Sequence, residues 1–424
     1  MTILPEAAKQ VLPPVRSRRT GLQGVGDFLR DHQALIRHLQ WGLVCLYGLL
    51  LLVPVLPAPL SFGGHELLSH NQVEVLGRFA RILFWCVWWP GVILSVMIFG
   101  QFWCGLLCPD GAVTEFASRH GRALKIPARL LWAGWPLLLF TGMTLLEAVI
   151  DIRSESFNAL WVLGTISCAA LLVGLLYGKG KRVWCRYLCP TAGLFSLLAR
   201  CAVLHFKVDR EAWDSSPRPA RAVDCPPMLD VRRLRSNEKC SMCGRCSGHR
   251  NAVALAVRPM GSELSRIADG DARPLDVFVI LWLLFGLTLS VAQGEQGFAS
   301  NWLAGHGPLP LWVLTHLGLP SIYALVFGGL LLIAAKGHRQ VALRLAYALI
   351  PLGGMFLILM AAQQGWQSLG IENTTPWPWR MEATLSMLGL VWSWRIVLDM
   401  ASAWQPRLVL GLLLGLAVLL RLMA

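Results

Sequence analysis

The sequence has little charge: of its 424 residues only 15% are Asp, Glu, Lys or Arg, against 55% apolar. It also lacks the alternating polar and apolar pattern of a soluble core, because the apolar residues fall in long uninterrupted runs. These two absences exclude a large soluble domain and indicate a membrane protein. Runs of roughly 18 or more apolar residues are long enough to cross a bilayer. They stand at about 39–60, 80–102, 129–150, 158–177, 275–294, 310–335, 341–362, 383–401 and 407–423. That reads as nine spans, give or take one. Arg395 and Asp399 interrupt the eighth, and only the turn AWQPR separates it from the ninth.

No cleavable signal peptide is expected either. The first apolar run begins about 39 residues in, behind a basic head that contains proline, and no small-residue cleavage site follows it. It is expected to be a retained first span. The stretch before it, VGDFLRDHQALIRHL, puts Val25, Phe28, Leu29 and Ile36 near one helical face. A short helix on the inner membrane interface and a helical extension of the first span both fit.

Cations are scarce on one side of the membrane. With the N-terminus inside, the segments 1–38, 103–128 and 178–274 and the KGHR turn at 336 face the cytoplasm, and the outer loops hold only Arg78, Arg153 and Arg380. The net charge of +14 is then a topology signal, the expected partner is the lipid bilayer, and no nucleic acid is expected. The fold class is an all-α polytopic membrane protein with a small cytoplasmic α+β ferredoxin-like insert. Its parts are a basic N-terminal segment 1–38, a four-span region 39–177, a cytoplasmic segment 178–274 and a C-terminal region 275–424 of about five spans.

The front half contains a repeat. FWCGLLCPDGAVTEFASR at 102–119 aligns without a gap on VWCRYLCPTAGLFSLLAR at 183–200, pairing Trp103 with Trp184, Cys104 with Cys185, Cys108 with Cys189 and Pro109 with Pro190. In each copy the C-x-x-x-C spacing puts two sulfurs one helical turn apart, and the proline tends to end the helix at the second cysteine. Four thiolates at Cys104, Cys108, Cys185 and Cys189 would suit an iron–sulfur cluster, and also a soft copper or zinc site. Packed free cysteines would explain any one of them, but not a duplicated W-C-x-x-L-C-P.

A second set lacks its last member. KCSMCGRCSGHRNAV at 239–253 has the C-x-x-C-x-x-C spacing of a [4Fe–4S] site, with Arg250 where a fourth cysteine is expected. In two-cluster ferredoxins the fourth ligand is the remote Cys-Pro of the other motif. Cys225, followed by Pro226, supplies it, so a [4Fe–4S] cluster at Cys225, Cys240, Cys243 and Cys246 is expected. A structural zinc site is the alternative, although zinc motifs usually come as two separated C-x-x-C knuckles. The flanks HFKVD and NAVALAVR read as short clamping strands. Cys45, Cys86, Cys168 and Cys201 read as packing residues.

These motifs resemble those of bacterial polytopic membrane ferredoxins with paired C-x-x-x-C-P motifs, the group that includes the NosR, NapH and CcoG types. The resemblance covers about 80–260. It implies electron transfer at the bacterial inner membrane, often in the service of a respiratory metalloenzyme. Such proteins usually carry two ferredoxin motifs where this chain holds one, and the spans from 275 onward match nothing assigned. The expected function is to pass electrons between a cytoplasmic donor or the quinone pool and a membrane or periplasmic acceptor. The alternative is an assembly factor that binds or reduces copper for a respiratory metalloenzyme, and a transporter with a regulatory cluster is a third reading. The transporter would need broken spans, for which only PLGG at 351–354 offers a hint.

His65, His70, His306 and His316 map to the outer side, where a haem, copper or quinone site would use them, although solvated interfacial histidines are the commoner case. Arg78 and Arg81 could meet a quinone or Glu74, and Arg395 and Asp399 are spaced for an ion pair. Trp88, Trp89, Trp302, Trp312, Trp377 and Trp379 read first as an interfacial belt.

Overall fold

The computed structural model describes residues 21–56, 60–62, 65–68, 70–147, 149–150, 155–217, 222–296, 312–367 and 377–423. Helix α1 is Gly21–Asp31 and α2 is Gln33–Val55. A hairpin of β1, Leu60–Phe62, and β2, His65–Leu68, leads into α3, Asn71–Phe99. The first repeat copy forms α4, Phe102–Leu106, and α5, Pro109–His120. Helices α6, Trp135–Glu147, and α7, Ser156–Leu176, connect it to the second copy, α8, Val183–Tyr187, and α9, Pro190–Leu198. The insert follows, with β3, Leu204–Val208, α10, Arg210–Ser215, and β4, Val253–Val257. The chain then continues through α11, Pro274–Gln293, α12, Leu314–Ala334, α13, Arg339–Trp366, α14, Trp377–Met400, and α15, Trp404–Leu422.

A helix stands at each of the nine expected spans, and seven of them are long and apolar enough to cross a membrane. The third position holds only the 13 residues of α6, about 20 Å of helix at the usual rise. The eighth, α14, carries Arg380, Glu382, Arg395 and Asp399. Arg395 and Asp399 are both exposed and form no ion pair with each other, contrary to their helical spacing. The chain is a polytopic helical membrane protein with a small α+β insert.

Helices that are apolar all round pack in the centre. The best apolar window of α13 is 100% buried and that of α11 is 89% buried, whereas that of α2 is 6% buried and faces outward. Ile93 and Met97 of α3 and Leu194 and Leu198 of α9 join Phe285 and Phe356 in one core, so the front half is packed directly on the C-terminal half. The PLGG stretch does not break its span. It lies inside the continuous α13, where a Cβ on Gly354 would stand 2.7 Å from Met97 Sδ, so the glycine serves close packing. The hint of a transporter disappears with it.

In the insert, β3 pairs antiparallel with β4, Leu204 opposite Val257 and Val208 opposite Val253, as the flanks of the cysteine loop suggested. The expected helix before the first span forms as α1, but its buried side meets the insert. Gly26 lies against Ser247 and Leu255, while Val25 and Phe28 are 48% and 51% exposed.

Candidate metal centres

The two repeat copies have the same backbone. In each, a five-residue helix stops before the second cysteine, and Leu107 and Leu188 leave the helix at φ −125° and −127°. The tryptophan carbonyl closes both turns. Trp103 O accepts from the N–H groups of Leu107 and Cys108, and Trp184 O from those of Leu188 and Cys189. Cys108 and Cys189 are extended, at ψ 122° and 120°, and each caps a new helix whose first residue is proline. The proline thus does more than end a helix: its fixed φ starts the next one, and both second cysteines stand at helix N-termini, where partial positive charge favours a thiolate.

All four cysteines, Cys104, Cys108, Cys185 and Cys189, line one cavity of ≈ 180 Å³. Burial pushes all four thiols up, Cys108 to about 12, and their mutual repulsion adds to it at Cys104, Cys108 and Cys185. Four such groups ionise together only beside concentrated positive charge, which a bound metal centre supplies. The cavity holds far more than one ion, since a water needs only about 10–15 Å³. Among the described residues no group of three or more His, Cys, Asp or Glu is set to hold a metal ion. Trp103 Nε1 and Ser241 Oγ are buried at this cavity without a hydrogen-bond partner among the described residues, and hydrogen bonds to the sulfurs of a cluster are a use for such donors.

The insert gathers the other set. Burial pushes Cys246 up, and Cys240, Cys243 and Cys225 add to that; Cys240 is pushed to about 12 by burial, with Cys243 and Cys225 contributing. Cys225, Cys240 and Cys246 pack in one small core with Phe206, Val253 and Leu255. The Leu229 N–H reaches Cys225 Sγ at 3.4 Å. Arg250, in the place of the absent cysteine, donates to Trp213 O at 2.8 Å and Ser216 O at 2.9 Å, and so ties α10 to the loop.

The two sets abut. A Cβ on Gly105, between Cys104 and Cys108, would stand 2.0 Å from Ser241 O and 3.0 Å from the Cys243 nitrogen, so only glycine fits there. The segment around Cys225 is bound by the second repeat copy and the residues before it. Lys181 pairs with Asp224 at 2.6 Å, the Arg182 N–H donates to Pro226 O at 2.9 Å, and Arg186 donates to Pro227 O and Met228 O. The buried Arg182 guanidinium donates to Cys104 O at 2.6 Å and to Glu115 at 2.8 Å. Glu115 also pairs with Arg245 at 2.6 Å. Burial by itself would raise the Glu115 carboxyl, but Arg182 and Arg245 hold it down to about 2. From α1 and α2, Arg30 donates to Ser247 O and Gln33 to Cys243 O.

Sequence reasoning missed Gly105, Glu115 and Arg182. A signal existed in the repeat: Gly105 aligns with Arg186 and Glu115 with Ser196, and the structure uses these mismatched positions where the copies meet the insert. Trp88 and Trp89, read as an interfacial belt, line the cavity, while Trp379 is 61% exposed. Trp302 and His306 lie outside the described residues, as do the side chains of His65, His70 and Trp377. His316 is engaged by its own helix: its Nδ1 lies 3.1 Å from Trp312 O and its ring stacks on Trp312. Cys201 is fully buried in the main core, whereas Cys45 and Cys168 are exposed.

A family of 4Fe-4S binding domains matches residues 82–127 and 160–211. The two segments enclose the two C-x-x-x-C-P copies and stop short of Cys225. Regulatory protein NosR of Pseudomonas aeruginosa is 25% identical over 182 residues, which cover 37% of this chain and 25% of that protein. Protein NirI of Paracoccus denitrificans is 27% identical over 181 residues, 37% of this chain and 26% of its own. YccM of Escherichia coli, named as a candidate electron transport protein, is 24% identical over 247 residues, 52% of this chain and 66% of its own. The chain thus spans between a quarter and two thirds of these relatives' lengths. No solved structure matches it. The resemblance to NosR-type membrane ferredoxins is borne out, and it supports a [4Fe–4S] cluster and an iron–sulfur electron-transfer role.

Proposed function

We propose that this protein is a carrier of electrons in the bacterial inner membrane, with its N-terminus and insert on the cytoplasmic side. One [4Fe–4S] cluster is held by Cys225, Cys240, Cys243 and Cys246, and a second metal centre by Cys104, Cys108, Cys185 and Cys189. The observation that carries this reading is the contact between the two sets at Gly105. Each centre, when bound, supplies a store for one electron at a time. The chain's residues do the rest. Glu115, Arg182 and Arg245 hold the insert against the repeat, and the helix N-termini at Cys108 and Cys189 stabilise negative charge. The match of the repeat to 4Fe-4S binding domains favours iron over copper there, and with it electron transfer over copper delivery.

The cavity supports a place for the quinone pool. From the cysteines it continues among Tyr47, Phe84, Trp85, Trp88, Phe140 and Leu163, and the π-helical stretches Ile82–Trp88 and Ile280–Leu287 both reach it. Such stretches are frequent at functional sites. A flat lipid-soluble quinol entering there would give up two electrons and two protons, and the carboxyl groups of Asp110 and Glu147 line the same cavity. An acceptor in the membrane or the periplasm completes the proposed path.

Iron and sulfide analysis with EPR of the purified protein, beside a Cys225→Ser variant, tests the reading. Loss of one signal in the variant is expected. A full signal surviving the substitution would show that the fourth ligand is another residue, and absence of any cluster from the wild type would sink the proposal.

A further inference from the structure

A groove of ≈ 1010 Å³ opens on the insert. Its lining holds nine Arg and Lys side chains against four of Asp and Glu. Three of the four acids are already engaged: Glu238 by Arg200 and Arg273, Glu263 by Arg258, and Asp230 by Arg233. Among the described residues Arg210, Arg235 and Arg266 have no carboxylate partner. The positive charge is thus concentrated in a concave site, beyond what a scatter of inner-side cations would give.

The site borders the cysteines. Lys239 precedes Cys240 in the chain, and Leu229, whose N–H reaches Cys225 Sγ, lines the same groove. Electron tunnelling falls steeply with distance, so a redox group seated against Leu229 and Lys239 is placed for exchange with the centre of Cys225, Cys240, Cys243 and Cys246. The rim is open. Arg232 and Arg233 are 56% and 83% exposed, which suits a broad acidic surface.

We propose that this groove is the docking site for a small acidic electron-carrier protein that exchanges single electrons with the Cys225, Cys240, Cys243 and Cys246 centre. It rests on the function proposed above and names the cytoplasmic partner by its chemistry. One electron leaves the reduced carrier as the centre gains one, and no bond is made or broken. Electrostatic attraction accelerates the encounter and is screened by salt.

The test uses the full chain in nanodiscs of zwitterionic lipid and, separately, of mixed zwitterionic and anionic lipid. The probe is a reduced acidic plant-type [2Fe–2S] ferredoxin, mixed rapidly with the protein, and its binding is followed in parallel by fluorescence anisotropy. Reversal of Arg232→Glu, Arg233→Glu and Arg235→Glu together is expected to slow electron transfer at low salt at least about tenfold and to flatten its salt dependence, in both lipids. The EPR signal reports that the variant is folded, and Arg122→Glu, Lys125→Glu and Arg129→Glu together, three exposed charges away from the groove, match the change in net charge. Equal loss in that matched variant, or an unchanged rate and salt dependence in the groove variant, would overturn the proposal. An effect confined to anionic nanodiscs would assign the arginines to lipid headgroups and overturn it too. Charge-dependent ferredoxin binding with no cluster signal in the wild type would leave docking standing and sink the electron-transfer reading instead.

Discussion

The two cysteine sets reach the same number of thiols by opposite constructions. The set in the repeat is local and symmetric: each half is a five-residue helix, a break and a proline-started helix, built from its own short stretch. The set in the insert is irregular and borrowed. Cys225 is held by Lys181, Arg182 and Arg186, and the loop 243–248 is covered by α1 and α2 through Arg30 and Gln33. Duplication can produce the first kind of site, but the second exists only once distant parts of the chain have packed. The second should therefore fail first when long-range contacts are cut.

Removing a ligand separates the sets most sharply. Cys104→Ser should abolish the EPR signal of the repeat centre and spare that of the insert, and Cys243→Ser should do the reverse, both read with iron content. Loss of both signals from either variant would mean that the sets are not two centres.

Arg182→Gln should cost about 3–5 kcal/mol, the usual penalty for breaking a buried ion pair, since Glu115 would keep only Arg245 as its buried partner. Chemical denaturation gives the value. The same pair sets a pH dependence. The folded carboxyl of Glu115 lies near 2, below its ordinary 4.5. Its stabilisation is therefore fully present above about 4.5 and lost as pH falls toward 2. The melting temperature of the wild type should drop through that window more than that of Glu115→Gln.

Gly105→Ala should cost about 1–3 kcal/mol by overpacking, because the new Cβ meets Ser241 O. Faster labelling of Cys225 and Cys243 by a thiol reagent in the metal-free protein would report the loosened insert. Smallest is Gln33→Ala, about 1 kcal/mol for one hydrogen bond, with faster amide exchange confined to the loop around Cys243.

The same contrast governs what the sequence could reveal. Hydropathy located a helix at each of the nine expected positions, seven of them long and apolar enough to cross a membrane, because each is a local run, and spacing located the repeat cysteines because the motif is written twice. The strands β3 and β4 were legible from alternation. The partner of α1 was not: its exposed Val25 and Phe28 look like an interfacial face, and nothing local marks Gly26 as the contact with Ser247. Glu115 and Arg182 were hidden for the same reason. A charge in a short sequence window looks solvated until the fold brings its partner from 67 positions away. The α13 glycines misled in the other direction, since PLGG reads as a break yet packs as a close contact.

The central claim is that two iron–sulfur centres lie side by side, one on each set of thiols. EPR of the fully reduced wild-type protein tests it most directly. Expected are about eight iron atoms per chain, as for two [4Fe–4S] clusters, and a spectrum broadened by spin–spin interaction that collapses to a simple signal in Cys104→Ser. A single uncoupled signal with iron for one cluster, unchanged in Cys104→Ser, would contradict it.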